Sequence, residues 1–430
     1  MIYLDNAATT YPKPPEVARA VSGVIKSIAG NPGRGGHPGA MAGGRIMENC
    51  RRRLSHLLGE TDESRIVFTP GCTDSLNMAI RGYLHQGEEV LVSHAEHNAV
   101  MRPLTTLEKQ GQITLRTLTP DSDGRIDPSC LGKYITGRTS LCVLCHGSNV
   151  TGVIQPAGEI ADELHRYGIP LLLDAAQTAG REDLTKTNAD MIALPGHKGL
   201  MGPMGVGALY VCKELLLRPL RTGGTGSMSE SMEQPAIMPD LLESGTPPLP
   251  AIAGLVQGIK FVQQHMGAIS MYEQHLLDVL RSGLKEIPGV TVYGSSRVPC
   301  TAVCAFNIGD LSGGEAADLL AKKGFALRGG LHCAPSIHRY LGTLERGAVR
   351  AGIGPYNTEE EISALVSAVK EISRRLHKFA SFLKYCIQHF ICFSLVSNTR
   401  FLYIMYNRKK CVPVCAFYLH SRSYSKLPRR

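Results

Sequence analysis

Short apolar runs and amphipathic stretches alternate through the first half of the chain. Runs rich in Val, Ile, Leu and Phe predict buried strands, and stretches with apolar residues every three or four positions predict helices between them. The predicted strands are at residues 65–70, 89–93, 140–144, 169–174, 191–193 and 207–211, with helices at 14–28, from 74 onward and at 158–167. This alternation favours an α/β fold built on a doubly wound sheet.

The second half predicts helices at 251–265 and 271–286, followed by strands near 301–308 and 325–328. A last helix is predicted from Thr358 to about residue 376, because Thr358 suits an N-cap and three Glu residues follow it in the first turn. Two Gly-rich segments interrupt the pattern. Residues 30–37 are interpreted as a long flexible loop, and residues 222–227 as either a flexible linker or a phosphate-binding nest.

Composition indicates a globular protein whose body is close to neutral. The 430 residues are 43% hydrophobic and include 46 Gly and 25 Pro. The formal net charge is +9, but 12 of the 46 Lys and Arg residues follow Glu371, where there is no Asp or Glu. The body therefore gives no electrostatic support for nucleic-acid binding. No basic segment precedes an apolar one at the start, so we expect no signal peptide and a cytoplasmic protein.

The segment from His377 to Arg430 differs from the rest of the chain. It holds 11 of the 25 aromatic residues and neither Gly nor acidic residues. Its longest uncharged run, residues 385–399, is shorter than the roughly 20 apolar residues needed to span a bilayer. A basic aromatic tail can contact RNA or membrane surfaces. We favour an appended or out-of-frame extension outside the fold, with no nucleic-acid or membrane partner.

The 13 Cys residues are odd in number and follow no regular framework, so reduced thiols are expected. Residues 142–146 match the haem-attachment pattern C-x-x-C-H. However, Cys142 lies inside the apolar run that predicts a central strand, which would hide its thiol in the sheet. We therefore expect neither haem attachment nor a metal site.

Two residues suggest the chemistry of the protein. Lys198 follows the strand at 191–193 in a loop rich in Gly and Pro, and Asp174 ends the strand before it. Because ligands bind at the carboxyl ends of parallel strands, these side chains are plausible neighbours. A desolvated Lys can form a Schiff base with a carbonyl, and an Asp can keep a pyridine nitrogen protonated. Together they predict pyridoxal 5'-phosphate as cofactor, although a Gly-Lys loop alone is usually only a solvated charge.

The chain resembles the class V aminotransferase superfamily, and more narrowly the cysteine desulfurases, over about residues 1–373. The matching segments are residues 3–10, 71–73, 96–99, 148–152, 174–177, 196–198, 243–247, 328–333 and 350–352, in the family's order. The resemblance implies the fold-type I architecture of enzymes that depend on pyridoxal phosphate. This is a large domain with a mostly parallel seven-stranded sheet between helices, plus a smaller α+β domain. We place the large domain at 15–250, the small one at 1–14 and 251–376, and the extension at 377–430.

The resemblance also assigns cofactor contacts. His97 would stack on the cofactor ring and shuttle protons, while Asn149 and Gln177 would hold the phenolic oxygen. The strand, Gly71 and the following helix N-terminus form a phosphate cradle that includes Cys72 and Thr73, although Thr73 or Asp74 could instead simply cap that helix. His197 and the partner subunit's Thr246 would complete the phosphate site, which implies a homodimer. The family often has a hydroxyl residue at the position of Pro195, so we expect weaker phosphate binding here.

Cys333 is the predicted sulfur nucleophile. It lies between Gly329-Gly330 and Pro335 rather than in an apolar run, and His332 and Arg328 can favour its thiolate. Arg350 would hold the substrate carboxylate through its planar fork, unless it forms only a surface ion pair. Arg34 either lines the substrate entrance or is an ordinary loop residue.

By resemblance, the enzyme would convert L-cysteine to L-alanine and leave a persulfide on Cys333 for a sulfur acceptor protein, as in iron–sulfur cluster assembly. Lys198 or His97 would take the α-proton of the substrate. Selenocysteine lyases, other lyases and aminotransferases of the superfamily share the cofactor residues and stay as alternatives. A binding module without cofactor is a further alternative, and such a protein would be colourless.

Overall fold

The computed structural model describes residues 1–28, 30–32, 35–389, 403–406 and 410–413. Nine α-helices lie in these residues: α1 Pro15–Ser27, α2 Pro38–Leu58, α3 Cys72–Tyr83, α4 Asn98–Lys109, α5 Ala157–His165, α6 Leu249–Lys285, α7 Gly313–Ala321, α8 Pro335–Tyr340 and α9 Glu359–His389. The same residues contain 15 strands. They are β1 Ile2–Tyr3, β2 Ile66–Thr69, β3 Glu88–Ser93, β4 Ile113–Leu118, β5 Thr139–Cys145, β6 Leu171–Asp174, β7 Met191–Pro195, β8 Gly207–Val211, β9 Val290–Tyr293, β10 Val303–Ile308, β11 Phe325–Ala326, β12 Arg328–Gly330, β13 Ala348–Gly352, β14 Tyr403–Tyr406 and β15 Lys410–Pro413.

Strands β2 to β8 form one seven-stranded sheet in the order β2-β8-β7-β6-β5-β3-β4. Neighbouring strands run parallel except around β8, which is antiparallel to both β7 and β2. The mostly parallel seven-stranded sheet predicted from the sequence is therefore confirmed. Its parallel strands β3, β5, β6 and β7 end at one edge, with Ser93, Cys145, Asp174 and Pro195 as their last residues.

The apolar runs form strands because both faces of this sheet are covered. Along β5, Leu141 and Val143 pack into one hydrophobic cluster, whereas Cys142 and Leu144 pack into another on the opposite face. Successive side chains of a strand point to opposite faces, so a strand covered on both sides reads as a continuous apolar run. The burial of Cys142 also confirms that its thiol is hidden inside the sheet, away from any haem-attachment role.

A second, antiparallel sheet has the order β12-β13-β10-β9. It pairs Arg328 on β12 directly with Arg350 on β13, so both predicted arginines lie on neighbouring strands. The N-terminal segment joins this region, because β1 pairs with β11 and Asp5 bridges to Gly352 at the end of β13. The boundary predicted at residue 250 stays a prediction, since residues Met1–Val369 form one compact unit.

Three predicted helix bounds are wrong. The helices at 251–265 and 271–286 are one helix, α6, because Gly267 weakens a helix by only about 1 kcal/mol and does not stop it. Helix α3 begins at Cys72 rather than at Asp74. Helix α9 continues to His389 instead of ending at residue 376, since no Gly or Pro follows until Pro413.

The second unit, Lys370–Arg430, contains the end of α9 and a two-stranded antiparallel pair, β14 with β15. Among the described residues, no helix combines the length and apolar character that crossing a membrane requires. The nine cysteines whose side chains the structure describes are all free thiols, as expected from the number and spacing of cysteines in the chain.

Helix α6 approaches the loop after Lys198 closely, and Gly258 permits this contact. A Cβ atom at Gly258 would meet the carbonyl oxygen of Leu200 and lie 2.7 Å from the nitrogen of Gly202. We predict that Gly258→Ala destabilises the protein by about 1–3 kcal/mol, because neither backbone segment can move away freely. Gly267→Ala in the same helix meets nothing within 4 Å and should stabilise by about 0.5–1 kcal/mol. Urea unfolding measures both, and equal effects would contradict the close approach.

Candidate active site

A cavity of about 280 Å³ opens where the parallel strands end. Its walls come from the turn after β2, the segments following β3, β5 and β6, and the loop following β7. The predicted cofactor residues that line it are Cys72, Thr73, His97, Asn149, Asp174, Gln177, His197 and Lys198, and Pro195 lies beside them. The structure therefore brings together residues that are up to 126 positions apart, from Cys72 to Lys198.

Lys198 lies just beyond β7 in a loop held tightly in place. The hydroxyl of Thr10 donates to the Lys198 carbonyl at 3.0 Å, and Lys13 donates to the His197 carbonyl at 2.5 Å. Gly199 allows the loop to pass against the carbonyl of Ala179, where any side chain would clash. Burial lowers the pKa of Lys198, and Cys72 and Asp174 only partly oppose this effect. A larger share of the amine is therefore neutral and nucleophilic than in an exposed lysine.

Asp174 ends β6 and is almost fully buried. Its Oδ1 accepts the N–H of Ala176 at 2.9 Å and the S–H of Cys72 at 3.5 Å. Burial raises the pKa of Cys72 well above its ordinary value, and the Asp174 charge raises it further. Cys72 is therefore a protonated donor to the carboxylate rather than a nucleophile.

The start of α3 faces the cavity without a side-chain cap. The N-cap residue is Gly71, which has no side chain that could cap the helix. The alternative in which Thr73 or Asp74 is the capping residue is therefore wrong. The first N–H groups and the positive end of the helix dipole can therefore attract an anion. Gly207 on β8 lets this turn pack closely, because a Cβ there would lie 2.8 Å from the Gly71 Cα.

His97 and His197 are both neutral at neutral pH. Burial lowers the pKa of His197 to about 4, assisted by Lys198 and Lys13, and its Nδ1 is buried with no hydrogen-bond partner among the described residues. Burial also lowers the pKa of His97. His97 Nδ1 accepts the N–H of Ala99 at 3.0 Å, so the proton of the neutral ring must be on Nε2. His97 can donate from Nε2, but that atom cannot accept a proton.

Asn149 connects the cavity to the loop that carries Cys333. Its Nδ2 donates to the carbonyl of His332 at 2.7 Å, and its Oδ1 is buried without a partner in the described part of the chain. Gln177 donates to the Ala7 carbonyl at 3.0 Å. Both amides thus line the cavity while anchoring segments that surround it.

Cys333 is half-buried on the short loop between β12 and α8. Its side chain does not itself line the cavity. The N–H of Asn98, next to His97, donates to the Cys333 carbonyl at 2.7 Å and ties the loop to α4. The expectation that His332 favours the thiolate by its charge is wrong. Burial, together with the charge of the nearby Arg350, lowers the pKa of His332 to about 3, so the ring is neutral.

Arg350 is 2% exposed, which excludes the surface ion pair as its role. Its Nη2 donates to Asp5 Oδ1 at 2.8 Å and its Nη1 donates to the Asn149 carbonyl at 3.3 Å. Its Nε is buried without a partner among the described residues. The two Nη atoms of the guanidinium are thus held by hydrogen bonds, and its Nε–H is left as a free donor within the described part of the chain. Arg328, its neighbour across the sheet, has an exposed side chain.

Like Cys333, the predicted residues Arg328, Arg350 and Thr246 do not line this cavity. Thr246 lines a separate cavity of about 610 Å³ and accepts a hydrogen bond from Asn31 at 3.3 Å. Its role in a partner subunit's site stays a prediction. Arg34 lies outside the described residues.

Sequence reasoning missed the partners that hold the site. Asp5 and Glu96 lie inside two matching segments, but their roles depend on residues far along the chain. Glu96 is fully buried beneath the cavity and accepts the N–H of Cys145 at 2.6 Å. Burial raises its pKa to about 8, so it is mostly protonated at neutral pH. The sequence signal that could have indicated this role is the position of Glu96 directly before His97.

Comparisons with known proteins agree with this geometry. The family model for class V aminotransferases matches residues 2–365. Two similar proteins, each named a probable cysteine desulfurase, come from Halalkalibacterium halodurans and Methanothermobacter thermautotrophicus. They are 30% identical to this chain over 385 and 383 residues, which is 86% of this chain and 93% and 94% of theirs.

Solved structures show the same similarity. The apo structure of a cysteine desulfurase from Thermococcus onnurineus matches with a TM-score of 0.81 and 29% identity, over 87% of this chain and 94% of that chain. The cysteine desulfurase CsdA from Escherichia coli, in an S-sulfonic acid form, matches with a TM-score of 0.78 and 30% identity over the same shares.

We predict that Asp5→Asn destabilises the protein by roughly 2–3 kcal/mol, because it leaves the buried Arg350 cation without its counter-ion. Asp123→Asn is the matched control. Asp123 is about as exposed as Asp5, at 20% against 24%, but its partner Arg297 is 71% exposed. The exposed pair should contribute much less, because solvent screens it. Chemical denaturation compares the two, and an equal loss for both variants would contradict the role of burial.

Proposed function

Because this chain belongs to the class V aminotransferase family, and within it to the cysteine desulfurases, we propose that it converts L-cysteine to L-alanine and transfers the sulfur through Cys333. One observation supports this most directly. Asn149 lines the cavity that holds Lys198 and Asp174, and it also hydrogen-bonds the loop of Cys333. A cofactor site and a thiol are thereby held in one connected arrangement.

The residues of the cavity fit pyridoxal 5'-phosphate. Lys198 would attach the aldehyde, Asp174 would hold the ring nitrogen, and the N-terminus of α3 with Thr73 and His197 would take the phosphate. The buried Asn149 Oδ1 and His197 Nδ1 lack partners among the described residues, as expected of polar groups that meet a ligand. When bound, this cofactor supplies an electron sink that stabilises a carbanion next to the substrate amine.

Lys198 is the group best suited to take the substrate's α-proton. Its pKa is lowered, so the free amine is available as a base. His97 keeps its Nε2 proton because Nδ1 is engaged by Ala99, so it acts as a hydrogen-bond donor at the cavity wall. The two residues considered as bases from the sequence thus have different roles.

Arg350 would bind the substrate carboxylate through its unpartnered Nε edge. Asp5 and the Asn149 carbonyl hold the opposite end of the guanidinium, and this fixes its plane before substrate arrives. A guanidinium fixed in this way loses less conformational entropy when it binds a carboxylate. Bidentate binding of a carboxylate is the recognition mode for which Arg is suited.

Cys333 would attack the sulfur of the bound substrate as a thiolate. An S–S bond forms and the carbon–sulfur bond of the substrate breaks, with its electron pair staying on the carbon. That carbon takes a proton, and the product leaves as alanine. The persulfide on Cys333 then passes its outer sulfur to a thiol of an acceptor protein, a step suited to iron–sulfur cluster assembly.

We also propose that the protein is a homodimer, because Thr246 is a predicted phosphate ligand but lies at a different cavity of its own chain.

We further propose that the protein acts in a reducing compartment, the cytoplasm. The nine cysteines whose side chains the structure describes are free thiols, and Cys333 must be reduced to act.

We predict that Lys198→Ala removes the covalent link to pyridoxal phosphate and leaves the fold intact, because no other lysine lines this cavity among the described residues. Borohydride reduction and peptide mapping of the wild-type protein should locate the adduct on Lys198. Lys13 is the decisive comparison, since it is also partly buried and lies beside His197. An adduct on Lys13 would show that Lys198 is not the attachment point.

We predict that Cys333→Ser keeps the yellow cofactor complex but loses persulfide and alanine formation. A serine hydroxyl is almost never ionised at neutral pH, and losing a nucleophile can reduce turnover by as much as about 10⁶-fold in other enzymes. Alanine, pyruvate and protein-bound sulfane sulfur are measured for both proteins. Cys130→Ser, which changes a thiol outside the site, is the control. Unchanged alanine production by Cys333→Ser would favour a lyase that releases sulfide directly.

A further inference from the structure

Three polar side chains lie buried behind the Cys333 loop and have no part in the chemistry described above. They are His332, His338 and Thr343, which are 4%, 0% and 1% exposed. His332 precedes Cys333, His338 lies in α8 and Thr343 follows that helix. Burying three polar groups is unfavourable unless they satisfy one another.

The three side chains form one hydrogen-bonded chain. His332 Nε2 lies 3.2 Å from the Arg328 carbonyl, and His332 Nδ1 lies 3.4 Å from His338 Nε2. His338 Nδ1 then lies 2.8 Å from the Thr343 hydroxyl. We refer to this chain as the His332–Thr343 relay.

The Arg328 carbonyl at one end of the relay determines which nitrogen of each histidine ring carries the proton. A carbonyl only accepts, so His332 Nε2 must donate and Nδ1 of its neutral ring must accept. His338 Nε2 therefore donates to His332, and His338 Nδ1 accepts from the Thr343 hydroxyl. Burial lowers the pKa of His332 to about 3 and that of His338 to about 4, which agrees with two neutral rings. The charged groups that face His332 are Arg350 and Arg328, and both disfavour its protonation.

The Cys333 loop needs such support because its backbone is strained. His332 and Cys333 have φ values of 51° and 56°, in the left-handed region that few residues other than Gly adopt. Such residues persist only where the surroundings hold them, and they concentrate at functional sites. Asn149 and the N–H of Asn98 hold the two carbonyls of the strained pair. The relay holds the His332 ring.

We propose that His338 and Thr343 are positioning residues for the sulfur nucleophile, acting through His332 to keep the Cys333 loop closed in the strained conformation that turnover requires. This rests on the proposed function of Cys333. The substrate would meet a preformed nucleophile loop, so the relay acts on the sulfur-transfer step and not on binding of cofactor or cysteine.

The first test measures the loop without requiring catalysis. Iodoacetamide alkylation of Cys333 is followed by mass spectrometry of its peptide, in the wild-type protein and in Thr343→Val. The isosteric valine removes the hydroxyl and leaves His338 Nδ1 unpaired. We expect Cys333 to be alkylated roughly tenfold faster, since the loss of one buried hydrogen bond shifts a local opening equilibrium by about this factor.

Two further variants separate positioning from general destabilisation. Thr343→Ser keeps the hydroxyl and should restore the wild-type alkylation rate. Thr178→Val is the matched control, because Thr178 is equally buried and its hydroxyl lies 2.9 Å from His146 Nδ1 at a place outside the loop. It should leave Cys333 alkylation unchanged.

The second test separates binding from turnover. With L-cysteine, Thr343→Val should lower kcat about tenfold and leave KM nearly unchanged, and Thr343→Ser should recover kcat. The proposal would be overturned if Thr343→Val had the same Cys333 alkylation rate and the same kcat as the wild-type protein. It would also be overturned if Thr178→Val increased the Cys333 alkylation rate as much as Thr343→Val does. If the wild-type protein forms neither alanine nor persulfide, the proposed function fails, and the alkylation series still decides whether the relay positions Cys333.

Discussion

The covering of both faces of the seven-stranded sheet is the constraint on which the rest of the structure depends. Each central strand is apolar on both sides, so polar groups can gather only where strands end. The ends of β5, β6 and β7 carry Cys145, Asp174 and Pro195, and the following turns deliver Asn149 and Lys198. Chemistry is concentrated at this edge because the interior of the sheet cannot accommodate it.

Asn149 joins this edge to the second sheet. Its side chain donates to the His332 carbonyl and its own carbonyl accepts from Arg350. Asn149 therefore contacts the cavity at the strand ends, the strained loop of Cys333 and Arg350. These three parts lie on separate segments of the chain and share this one residue as a point of contact.

Sequence patterns predicted the sheet and the Lys198–Asp174 pair because both depend on local signals, namely apolar runs and the residues that end them. Helix α2 was not predicted, since several of its buried positions are small residues such as Ala40, Gly43 and Cys50, which give a weak periodic pattern. The Asp5–Arg350 pair joins residues 345 positions apart, and no local pattern encodes such a contact. The charge expected on His332 was wrong because burial, which decides its pKa, depends on tertiary packing.

Burial also explains why several basic groups of the site have pKa values below their ordinary ones. Lys198, His97, His197 and His332 all have lowered pKa values, with desolvation as the largest cause in each case. The two aspartates near them have separate roles, because Asp5 neutralises Arg350 while Asp174 remains within the cavity. Asp5 thus neutralises a buried cation whose charge also lowers the pKa values of Lys198 and His97. The N-terminal segment, far from Lys198 in sequence, is in this way an electrostatic part of the site.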